Sequence, residues 1–76
     1  MSQDPGFVKD ELLLENEEYR RLDEAHHEYE IRLADLTAKL LLSDEEQVEE
    51  VTLKKKKLQA KDRMQAIARE YRGAHP

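Results

Sequence analysis

Residues 7 to 72 contain neither glycine nor proline; both glycines and both prolines (Pro5, Gly6, Gly73, Pro76) lie near the ends of the 76-residue chain. Proline costs a helix interior about 3 kcal/mol and glycine about 1 kcal/mol. The long stretch between them is therefore free of both strong breakers, and an all-α fold is expected. The composition agrees: 38% of residues are hydrophobic and 41% charged, a balance that suits long helices with one apolar stripe and is too charged for a compact α/β domain. A chain this short forms one domain at most and seldom buries enough apolar surface to be comfortably stable alone. Cysteine is absent, which removes disulfides and thiolate metal sites as staples. Self-association is the staple that remains.

Apolar residues then set the register. Tyr19, Leu22, Tyr29, Leu33, Leu36 and Leu40, with His26 filling the one gap, recur at spacings of 3 and 4. That is a heptad seam, with a positions at Tyr19, His26, Leu33 and Leu40 and d positions at Leu22, Tyr29 and Leu36. Asn16 suits the N-cap of this helix, and Glu17 and Glu18 favour the positive end of its dipole. Ser43-Asp44-Glu45-Glu46 reads as a capping box, Ser43 serving the third amide and Glu46 reaching back to the serine amide. A new helix should start there. Since Leu40 to Leu42 precede it directly, the link is expected to span two to four residues, and links that short join antiparallel neighbours. The expected organisation is an N-terminal arm over 1–15, a helical hairpin over 16–72 and a disordered tail over 73–76. Within the hairpin, one helix runs over 16–42, the turn falls at 43 and the second helix covers 44–72. In the arm, Asp4 and Pro5 could open a short helix holding Phe7, Val8 and Leu12 to Leu14.

The second helix carries Leu53, Ala60, Met64, Ile67 and Tyr71 on one side, with Lys57 as the polar member of the stripe. At about 100° per residue, Val48, Val51 and Leu58 fall on nearly the opposite side. On the first helix Ile31, Ala38 and Leu42 lie off the main seam. A lone hairpin covers one face of each helix, so the second faces call for a partner. The expected core is Tyr19, Leu22, His26, Tyr29, Leu33, Leu36, Leu40, Leu53, Ala60, Met64, Ile67 and Tyr71. The expected oligomer interface is Ile31, Leu42, Val48, Val51 and Leu58, in a dimer or tetramer of coiled-coil hairpins. Charge supports the antiparallel arrangement: residues 54–76 carry 8 basic and 2 acidic side chains, whereas residues 9–42 carry 5 and 10. Opposite signs meet when the chain folds back.

Two blocks resemble a known family. Tyr19 to Leu22 with Glu24 to Glu28, and Leu53 to Met64 with its Lys57-Leu58-Gln59-Ala60-Lys61-Asp62 core, are similar to the YdcH-like family of short bacterial proteins. Ala60 stands where that family has a larger residue, and Tyr29-Glu30 where it has Leu-Asp. The resemblance covers about residues 12 to 68. It implies a helical coiled-coil hairpin without a known reaction or cofactor.

Three features invite sharper readings. Adjacent helical residues point about 100° apart, so His26 and His27 cannot share an ion unaided. Asp23 with His27, His27 with Glu30, or His26 with Glu30 each give a two-ligand site, and zinc normally takes at least three ligands from protein. The expectation is that no metal binds, His26 being a seam residue bonded to a cross-helix carboxylate and His27 being solvated. A pH-sensitive interface is the milder alternative. Lys54 to Lys57 resemble a phosphate-binding run, yet four consecutive lysines spread around the helix and an acidic helix faces them. Internal pairing is the leading reading and a nucleic-acid-associated helper protein the alternative. For catalysis there is no Gly-rich phosphate loop and no His-Glu-x-x-His spacing, and Ser43 is committed to capping. Neither an enzyme nor a cofactor is expected. Tyr19, Tyr29 and Tyr71 read as seam residues with hydroxyls at the bundle edge. No apolar run approaches the roughly 20 residues of a membrane span, so a cytoplasmic location is the default. The expected role is a non-enzymatic, self-associating protein-interaction module, with a further protein partner left unspecified.

Overall fold

The computed structural model describes residues 5–74, with side chains over 8–73. Those residues form three helices and no strand: α1 Pro5–Glu15, α2 Glu17–Thr37 and α3 Asp44–Ala74. The fold is all-α. It has three helices where a two-helix hairpin was expected, because the arm is itself a helix and packs on the other two. The Asp4 cap proposed for it lies outside the described residues.

A single residue separates α1 from α2. The Asn16 amide still donates to the Leu12 carbonyl at 2.8 Å, closing the last turn of α1. Its backbone is extended (φ −112°, ψ 109°), while its side-chain oxygen accepts from the Tyr19 amide. Asn16 thus ends one helix and caps the next, satisfying a first-turn donor of α2. The resulting elbow lets α1 lie against the pair beyond it.

Helix α2 stops at Thr37, well short of the expected 42. Thr37 Oγ1 donates to the Leu33 carbonyl at 2.8 Å, the back-bonding that makes threonine a poor helix-interior residue. The Lys39 amide then shifts to the Leu36 carbonyl, a tighter closing turn. The connection is 38–43, longer than the two to four residues expected. Continuing α2 to residue 42 would leave no chain to cross to a neighbouring helix axis, typically 8–10 Å away. Leu40 is therefore fully exposed, at 105%, and Leu41 nearly so. Leu40 does not join the core.

Helix α3 starts on its capping box. The Glu46 amide donates to Ser43 Oγ at 3.1 Å and the Ser43 amide donates to Glu46 Oε1 at 3.0 Å. Gly73 does not end the helix, which continues through Ala74. Residues 73 and 74 are thus helical where a disordered tail was expected; 75 and 76 lie outside the described residues. At 1.5 Å per residue a helix of this length spans about 46 Å, and α3 sets the 49 Å long dimension of the molecule.

Cross-helix pairs fix how α2 and α3 run. Glu18 meets Arg63 and Arg32 meets Glu49, so as α2 advances its partners on α3 recede. The main core lies where α1 covers that pair. Val8, Leu12, Tyr19 and Ile67 are buried there, with Leu13, Leu22, Met64, Ala68 and Tyr71 packed around them. Beyond the reach of α1, only Leu36 and Ala60 are buried among the described residues. His26, Tyr29, Leu33 and Leu53 remain half-buried, since two helices alone enclose a side chain from one side only.

Candidate functional site

Where the three helices meet, a groove of about 520 Å³ opens beside the core. Val8 of α1, Tyr19 of α2 and Met64 and Ala68 of α3 contribute its apolar surface; Lys9, Asp23, His26, His27, Glu30 and Lys57 are among its polar lining. Lys9 Nζ lies 3.7 Å from Asp23 Oδ1, bridging α1 to α2. Burial pushes the Tyr19 phenol up; the Lys9 ammonium acts against this and the Asp23 carboxylate adds to it.

The histidines are arranged otherwise than expected. His26 Nδ1 lies 2.9 Å from Glu30 Oε1, one turn along the same helix, so its acidic neighbour is not a cross-helix carboxylate. His27 Nδ1 lies 3.8 Å from the same oxygen. The ligand atoms of His26, His27 and Glu30 all fall within 4.8 Å of one another. Glu30 is i+4 from His26 and i+3 from His27. It therefore projects between them, about 40° from His26 and 60° from His27. The other Glu30 oxygen, Oε2, lies 3.8 Å from Lys57 Nζ on α3. His26 is partly buried and His27 exposed.

The lysine run divides. Lys57 reaches across to Glu30, while Lys54 turns back to Glu50 on its own helix at 3.7 Å. Lys55 and Lys56 are exposed and make no ion pair among the described residues. Expected pairing with the acidic stretch of α2 is made most closely by Arg63, whose guanidinium holds both oxygens of Glu18 at 2.9 and 3.1 Å.

The second apolar faces are present but do not form one surface. Ile31 is 66% exposed, Val48 67%, Val51 60% and Leu58 59%. Val51 stands about 160° from Leu53, and Ile31 about 140° from Leu36, so each points away from the seam between α2 and α3. The two faces consequently look in opposite directions. Val48, Val51 and Thr52 line a shallow groove built from α3 alone. Leu42 is already half-buried in the connection, whereas Leu14, Leu40 and Leu41, none of them in the expected interface, are exposed. Among the described residues no helix is long and apolar enough to cross a membrane. Compared with known proteins, no family model matches the chain, and neither a curated protein nor a solved structure matches it.

Proposed function

We propose that this chain is a non-enzymatic helical interaction module that associates with copies of itself along the outer face of α3. The observation that carries this reading is the apolar line of Val48, Val51 and Leu58 on a helix whose opposite side is already covered. A small core supports it: only six described residues are buried, and domains of this size commonly need a further staple. In this reading α2 and α3 form the antiparallel coiled-coil hairpin, α1 braces one end, and two or four copies complete a bundle. Kinship with the YdcH-like proteins belongs to the same proposal; the more specific of the resembling blocks, Leu53 to Met64, occupies the middle of α3.

Light scattering at micromolar concentration tests it. The wild-type chain is expected to weigh a multiple of 9.0 kDa, and Val51→Glu with Leu58→Glu to return it to single-chain mass with helicity retained. A wild-type monomer, or a double variant of wild-type mass, rejects this face. A nucleic-acid-associated helper is the second reading, favoured by the exposed Lys55 and Lys56. It requires binding that weakens steeply with salt and fails when Lys54 to Lys57 become glutamine.

A further inference from the structure

Two imidazoles and a carboxylate converging on one point form a donor set suited to zinc and its first-row neighbours. Imidazole nitrogen favours zinc, copper, nickel and iron, and the carboxylate adds a charged oxygen. Tetrahedral zinc with bonds of about 2.0–2.1 Å places its ligand atoms about 3.4 Å apart. The separations of 2.9 Å from His26 Nδ1 and 3.8 Å from His27 Nδ1 to Glu30 Oε1 bracket that figure. The ligand atoms of all three residues lie within 4.8 Å of one another.

We propose that His26, His27 and Glu30 bind one divalent transition-metal ion, zinc or an ion of similar size and softness, at the polar edge of the three-helix groove. Glu30 is the central ligand because the helical repeat sets it between the two rings. Its two oxygens are divided: Oε1 faces the histidines, and Oε2 faces Lys57 Nζ at 3.8 Å. Lys57 thus acts from α3 as a positioning residue, holding the free oxygen so that the other stays turned toward the rings, as outer-shell partners do for ligating carboxylates. Three protein ligands leave a fourth position for water. All three ligands lie on α2 within one and a half turns, so the site is built by one chain and does not depend on self-association.

Calorimetric titration of the full-length chain with zinc chloride tests this, alongside cobalt(II) absorption. One ion per chain is expected, with a cobalt spectrum of low coordination number. His27→Ala and Glu30→Gln alter exposed side chains and should leave helicity unchanged while weakening zinc by at least about tenfold, the loss that removal of even an outer-shell partner brings. His75→Ala, in which the remaining histidine is removed, should bind as the wild type does. Acidification should release the ion, since the rings must be deprotonated to ligate. Absence of zinc binding overturns the proposal. So does unchanged binding by His27→Ala and Glu30→Gln, which would mean an adventitious ion only. Because stoichiometry per chain and molecular mass are read separately, failure here leaves the self-association reading standing, and the converse also holds.

Discussion

Arg32 of α2 holds Glu49 of α3 by both carboxylate oxygens, Nε to Oε2 at 2.7 Å and Nη2 to Oε1 at 2.8 Å. The Arg63–Glu18 fork repeats that geometry fourteen residues away on each helix. Two bidentate forks in the same register define one alignment of α2 against α3, and a slip by a helical turn breaks both. Each carboxylate is held below its ordinary range, chiefly by the hydrogen bond from its arginine. The Arg63–Glu18 pair is exposed and the Arg32–Glu49 pair only partly buried, so they choose the register rather than supply the bulk of stability.

Reversing one member of a fork should therefore be repaired by reversing the other. Arg32→Glu is expected to lower the thermal midpoint by a few degrees, and Arg32→Glu with Glu49→Arg to recover most of it. Circular dichroism melts at fixed protein concentration read both, and a double variant no better than the single would show that the pair does not set the register.

Leu36 and Leu40 occupy successive positions of the same seam pattern but opposite environments, 1% and 105% exposed. Leu36→Ala should cost about 2 to 5 kcal/mol through lost burial and the cavity left behind. Leu40→Ala should stay within about 0.5 kcal/mol. Urea unfolding compares them, and equal losses would return Leu40 to the core.

Leu12 tests whether α1 belongs to the folded unit. Its side chain is 1% exposed, whereas Leu14, two residues on, is 79% exposed. Leu12→Ala is expected to destabilise the whole chain by at least about 2 kcal/mol, with α1, α2 and α3 unfolding together. Amide exchange that loosens α1 alone would show the arm to be an independent addition.

At the start of α3, Ser43→Ala should cost about 1 kcal/mol as the Glu46 amide loses its acceptor. The Glu46 carboxyl is lowered from 4.5 to about 2, first by its hydrogen bond with Lys39 and next by the Ser43 amide. Since the folded chain takes up that proton less readily than the unfolded one, the contribution is complete above about pH 4.5 and is lost as pH falls toward 2. Glu18 and Glu49, held down by their arginines, lose stability in the same direction. The thermal midpoint should decline across that acid range, and less steeply in Glu46→Gln. Identical acid profiles for the variant and the wild type would remove Glu46 from the account.

How legible each element was depends on how local its cause is. The capping box needs only residues 43 to 46, and the Asn16 cap only residues 16 to 19, so both follow from side chains within reach of nearby amides. The α1 packing face had no such signal: Val8 and Leu12 are a single i, i+4 pair, and the run Leu12-Leu13-Leu14 blurs any period. Likewise, nothing between residues 37 and 43 is a strong helix breaker, so the heptad pattern ran on through Leu40. The convergence of His26, His27 and Glu30 was available from their spacing, but only when the three were taken together rather than in pairs.

Helical class, the break at Asn16 and the start at Ser43 were determined by the sequence alone, because breaker-free stretches and capping side chains act over one turn of backbone. Tertiary structure decided that α1 closes the core, that α2 yields residues 38–42 to the connection that crosses to α3, and that the two leftover apolar faces look apart. Those outcomes depend on where helix axes lie relative to one another, and axis placement is set by packing between residues as distant as Val8 and Ile67.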